Sequence, residues 1–311
     1  MKIRTDVRQK KKSKWQLYLM LSPSLIYLLI FCYVPMLGLL IAFKNYSPSL
    51  GFEGIFTSEW VGFKHFKDFF EYPYFWDIMG NTLELSVYAL AINTVLPIVL
   101  ALMINEVRNK PFKTVFQTVS YAPYFVSLVV LVGICGSFLQ GDGSVINVVR
   151  SAFGLPPENY MSNPDLFSTI YTFSGLWQGW GWWTIIYVGT LSNVDRTLHE
   201  AAAIDGAGRL RRIFTVNLPA ILPVATIQFI LAMGSMMSIG FEKVYMFQNL
   251  IGDLTLTSTE IISTFTYRVA FVESRNFGFA TAVGLFNSVI NIILLVSTNF
   301  ISKKVAKESL W

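Results

Sequence analysis

Apolar residues in this chain gather into long continuous runs, with none of the short alternation that marks a half-buried strand. Six runs stand out, at residues 15–43, 82–104, 114–139, 166–191, 218–239 and 277–301. Each is near or above the roughly 20 residues that a helix needs to cross a bilayer. The gap between the fourth and fifth runs is unlike the others. It reads H-E-A-A-A-I-D-G-A-G-R-L-R-R-I-F-T-V-N-L-P-A-I-L-P from His199 to Pro223. Residues 198–203 are strong helix formers with three consecutive alanines, which predicts a short helix able to lie close against another protein. Gly206 and Gly208 interrupt it, Arg209, Arg211 and Arg212 follow, and Pro219 and Pro223 mark the expected start of the next helix. The unit displays one carboxylate, Glu200. Two readings of that residue stand side by side: a contact for a partner, or half of a capping box Thr197-x-x-Glu200 that satisfies first-turn amides.

Composition turns this pattern into a membrane assignment. The 311 residues are 53% hydrophobic and 14% charged, far from a soluble domain of that length. The net charge of +5 therefore carries information through its distribution, and is no sign of nucleic-acid binding. Lys2, Arg4, Arg8, Lys10, Lys11, Lys12 and Lys14 precede the first run, which is too long for the apolar core of a signal peptide and is expected to stay as a helix. With the amino terminus inside, 17 of the 24 basic residues fall on the cytoplasmic side, and 12 of the 19 acids on the outside. That asymmetry predicts cytoplasmic termini and a cytoplasmic Glu200 loop. Cys32 and Cys135 both lie inside apolar runs and point to neither a disulfide framework nor a metal site.

Glu200-Ala201-Ala202, with Asp205-Gly206 following and Leu218-Pro219 twelve residues beyond Gly206, resembles the EAA loop of inner-membrane permease subunits of binding-protein-dependent ABC importers. Val216 stands where that loop usually has isoleucine, and Asp195, where sugar permeases often have proline, is itself able to cap a helix. The run Thr264-Phe265-Thr266-Tyr267 and the stretch from Asn276 to Phe286 resemble the maltose-like carbohydrate branch, and within it permeases for complex oligosaccharides. The resemblance implies an all-α integral membrane fold with six transmembrane helices, a type I importer (MetI-like) transmembrane domain. It divides the chain into a basic tail (1–14), a first helix (15–43), an extracytoplasmic loop (44–76), the transmembrane domain (77–301) with its coupling loop (195–217), and a tail (302–311). It also implies the partners: a second, paralogous permease, two ATPase subunits using ATP and Mg, an extracytoplasmic solute-binding protein, and a sugar or oligosaccharide in a bacterial inner membrane. Glu200, Ala201, Ala202, Asp205, Gly206, Leu218 and Pro219 are the expected ATPase-coupling residues.

The chemistry that is missing agrees. No G-x-x-x-x-G-K-[ST] occurs, nor any Gly-Lys pair, so the chain lacks a phosphate-cradling loop and is not expected to be an enzyme or to carry a cofactor. A membrane-embedded enzyme would need a cluster of His, Asp, Glu or Cys at one depth, yet His65 and His199, the two histidines, fall on opposite sides of the expected membrane. For the pathway, the candidates are Trp180 and Trp183, Gln228, and Asn287 and Asn291, the last two on one helix face. Tryptophans at mid-segment serve either packing, helped by Gly175-x-x-x-Gly179, or a stacking surface for sugar rings. Amides at this depth are either interhelical glue or the lining of a pathway. They suit a neutral hydroxylated solute, and the six segments hold no basic residue that would favour an anion.

Overall fold

The computed structural model describes residues 15–252 and 256–311; the basic tail at 1–14 lies outside them. Among the described residues the chain is helical, with one isolated bridge between Lys44 and Trp60 and no strand. The main elements are α1 (Leu17–Phe43), α2 (Phe75–Glu106), α3 (Lys110–Phe125), α4 (Leu128–Leu139), α5 (Pro164–Ser192), α6 (Arg196–Ile204), α7 (Arg209–Met233), α8 (Phe241–Ile251) and α9 (Phe277–Val305). By length and composition α1, α2, α7 and α9 qualify as membrane spans, and a fifth does if α3 and α4 count together. The sixth expected segment is α5, which is long enough at 29 residues but diluted by Ser, Thr, Gln and Gly.

Two of the six runs differ from their sequence reading for local reasons. The third is broken, α3 and α4 meeting at 100°. Pro123 sits in a 3-10 turn, Val126 leaves it extended, and the Ser127 hydroxyl accepts from Val130 N–H to cap a new helix. The exposed carbonyl of Val126 is taken up by Gln178 Nε2 at 2.7 Å. The fifth run was expected to start at Pro219, but the helix starts ten residues earlier, at Arg209. A π turn, Ile213–Asn217, lets Leu218 N–H donate to Ile213 O and carries the helix past Pro219, which has no N–H to give.

Packing explains the bundle. α2 and α5 run alongside each other, and with α7 they enclose a core of Ala101, Ile104, Tyr187, Leu191, Ile221 and Ala225. Ala101 and Ala225 are the small side chains there, of the kind that permits close helix approach where lipid is as apolar as the interface. At Gly181 the helix meets the backbone of α3: a Cβ would sit 2.3 Å from Ser120 O, so only a bare Cα fits. The Gly175-x-x-x-Gly179 pair expected to serve this purpose faces Lys243 Nζ and the Trp183 ring instead. The last two turns of α1 pack against α9 and bury Ala42, while its earlier turns are exposed and leave an apolar surface suited to lipid.

Candidate functional site

Two places combine exposed or convergent polar chemistry with a defined geometry. The first is α6 and its flanks. Asp195 is the N-cap, its Oδ1 accepting from Thr197 N–H at 2.9 Å, and that hydrogen bond holds the carboxyl below its ordinary range. The cap therefore falls at Asp195, and the Thr197-x-x-Glu200 box does not form. At the other end Gly206 N–H donates to Ala203 O at 3.1 Å and Ala207 N–H to Ala202 O at 2.9 Å, with Gly206 at φ 77°. This is a Schellman closure, and its left-handed position is the reason for glycine there. No atom lies within 4 Å of where a Cβ on Gly206 would be, so the requirement is conformational and not steric.

Between these caps no residue of α6 is buried. Glu200 makes no side-chain hydrogen bond or ion pair among the described residues, and Leu198 and Ile204 stand 55% and 87% exposed. A nine-residue helix cannot hold itself together by propensity alone, so its two caps and its anchors at either end carry it. Asn217 supplies one anchor: fully buried, it donates through Nδ2 to Glu106 Oε1 at 3.3 Å and ties the turn before Leu218-Pro219 to the end of α2.

The second place is a cavity of about 450 Å³ walled by α2, α5, α7 and α8 near the middle of the long helices. Its polar wall includes Asn93, Gln178, Gln228, Thr172 and Lys243, and its aromatic faces include Trp183, Tyr187 and Phe229. Trp183 and Gln228 of the expected pathway residues line it. Trp180, Asn287 and Asn291 do not. Asn291 accepts from Met237 N–H at 2.9 Å and donates to Ser238 Oγ at 2.8 Å, while Asn287 donates to the same hydroxyl at 3.2 Å. Both amides thus secure the 3-10 break Met236–Ser238 against α9.

The wall also holds a charge that comes from outside the six apolar runs. Lys243 comes from the stretch after Gly240, which reads as an outside connection, and α8 folds back to place it 7% exposed in the wall. The signal in the sequence is a lysine beside Glu242 that is followed by the apolar residues Val244, Tyr245, Met246 and Phe247. Its sequence position gave no hint of Tyr171, whose carbonyl accepts from Lys243 Nζ at 2.6 Å and whose ring lies 4.3 Å away. His65 belongs to neither place: it is buried and donates through Nε2 to Lys44 O at 3.0 Å, while His199 lies on α6 and not at the cavity. Among the described residues no group of three or more His, Cys, Asp or Glu is placed to hold a metal ion.

Residues 93–307, which include α6 and all of the cavity lining except Ser86, Ala89 and Leu90, match the family described as binding-protein-dependent transport system inner membrane component. The chain belongs to this family. The permease is 42% identical to Protein LplB of Bacillus subtilis over 97% of its own length and 92% of that protein's. It is 41% identical to the polygalacturonan/rhamnogalacturonan transport system permease protein YteP of the same organism, over 95% and 90% of the two chains. Among solved structures, a chain of a bacterial alginate ABC transporter in complex with alginate pentasaccharide-bound periplasmic protein superposes with a TM-score of 0.86 at 33% identity, covering 96% of the permease and 97% of that chain. The permease is thus a transport subunit and an inner-membrane component of an ABC importer.

Proposed function

We propose that the permease forms half of the translocation pathway for a sugar or oligosaccharide and is driven by separate ATPase subunits docked at α6. The observation that carries this is α6 itself: a helix capped at both ends, with no buried residue, that leaves Glu200, Leu198 and Ile204 exposed among the described residues. Its partners are a second permease, two ATPases that bind ATP and Mg, and an extracytoplasmic solute-binding protein. The lack of a phosphate-cradling loop in this chain supports the division of labour. The charge asymmetry supports cytoplasmic termini and a cytoplasmic α6. Saccharide-handling relatives support the cargo.

Coupling follows from rigidity. When two ATPases close on ATP, a capped helix seated between them moves as a body, and α5 and α7, joined to it by short turns at Asn193 and Gly208, move with it. Rocking of this kind about a midplane site is how transporters alternate access, and a 450 Å³ cavity among the long helices supports that reading. The test is uptake of radiolabelled oligosaccharide into proteoliposomes holding the full assembly, with and without the ATPase subunits. Uptake that needs no ATPase, or that Glu200→Ala leaves untouched together with ATPase co-purification, overturns the reading.

A further inference from the structure

The cavity wall carries one cation and no carboxylate: of its lining residues only Lys243 is charged, and no Asp or Glu oxygen lies within 4.0 Å of its Nζ among the described residues. Of the three ammonium protons one is spent on Tyr171 O, and no other acceptor lies in reach among those residues. Room is kept for the head group, since a Cβ on Gly175 would stand 2.9 Å from Nζ. An ammonium this buried without a counter-charge is unfavourable unless something supplies an anion. Lysine keeps such a charge as a compact point with several donors, well matched to a carboxylate. Around it, Asn93 and Gln228 make no hydrogen bonds to the described residues and stay free for hydroxyls, beside the ring faces of Trp183 and Tyr187.

We infer that Lys243 is a specificity-determining residue that selects a carboxylate-bearing saccharide, a uronate unit, over a neutral sugar of the same shape. The inference rests on the reading of the permease as a saccharide importer and narrows it. The competing role is structural: Lys243 only pins α8 onto α5 through Tyr171.

The assembled importer, with its ATPases and binding protein, separates the two. Uptake is measured for trigalacturonate and for its fully methyl-esterified form, in wild type, Lys243→Gln and Lys243→Arg. The quantity compared is the mutant-to-wild-type ratio for each probe, in which the binding protein's own preference cancels. Charge selection requires Lys243→Gln to lower trigalacturonate uptake about 10-fold or more, to change ester uptake less than 2-fold, and Lys243→Arg to restore most of the loss. Equal losses for both probes, or no loss for either, overturn the inference. So does a wild type that imports the ester and not the acid, a result that needs no variant to fold. Wild type that imports neither probe nor any other oligosaccharide, with ATPase and binding protein assembled, sinks the saccharide reading itself and is told apart by that pattern.

Discussion

The α6 unit and the cavity wall sit in one chain and are built in opposite ways. α6 has no buried residue and is held by its own ends, through the Asp195 cap and the Gly206 closure. The cavity gathers residues from four helices, spread from Ser86 to Lys243, each set in place by packing far from its neighbours in sequence. On the proposed function, the unit that meets another protein keeps its surface unspent and its backbone satisfied, and the unit that meets a solute keeps a few side chains unspent.

The largest effect expected on this comparison comes from removing what lets the wall form at all. Gly181→Ala drives a Cβ against the Ser120 backbone and should destabilise the bundle by about 1–3 kcal/mol, with a fall in thermal melting and in yield of monodisperse protein. Gly175→Ala meets only the far end of a lysine and should fold. If both melt alike, the backbone contact is not what distinguishes them.

The next effect belongs to α6. Gly206→Val should abolish ATPase co-purification and uptake while the membrane fold keeps its melting temperature. Gly206→Asn, which tolerates the left-handed region, should retain a good part of both. Equal loss in the two variants would show that the position needs space and not conformation. Glu200→Ala should weaken ATPase binding with the fold intact.

A smaller effect tests the amides that the sequence placed in the pathway. Asn291→Ala leaves Met237 N–H without its acceptor inside the bundle and should cost about 1–3 kcal/mol, read as lower thermal stability with substrate preference unchanged. A changed preference at unchanged stability would return Asn291 to the solute.

The smallest is the cap. Its hydrogen bond from Thr197 lowers the Asp195 pKa, so its contribution is complete above the ordinary carboxylate range and fades as pH falls through the depressed folded value. ATPase affinity should therefore be flat at neutral pH and weaken in acid for wild type, and Asp195→Asn, a good cap at any pH, should remove that part of the acid dependence. An unchanged acid slope in Asp195→Asn excludes the cap as its source.

How far each region could be read beforehand follows from the same contrast. Glu200, Gly206 and the helix at residues 198–203 were legible because caps, propensity and a left-handed glycine act within one or two turns. Even there the cap fell at Asp195 and not Thr197, since which of two neighbouring side chains reaches an amide depends on backbone angles at the helix entry. The break at Pro123 was visible as a proline, but the 100° turn depended on Gln178 taking the stranded carbonyl of Val126. Trp183 and Gln228 proved to face the cavity and Asn287 and Asn291 to face Ser238, although all four are polar or amphipathic groups at comparable depth.

What the amino-acid sequence determined by itself was the solvent and one exposed unit: continuous apolar runs that suit a bilayer, a charge distribution that predicts their orientation, and a short helix between two of them. All three are local or additive properties of the chain. Only the tertiary structure decided what the bundle encloses, because the course of α8 is set by contacts with distant helices. Lys243 enters the wall through a carbonyl 72 residues earlier in the chain.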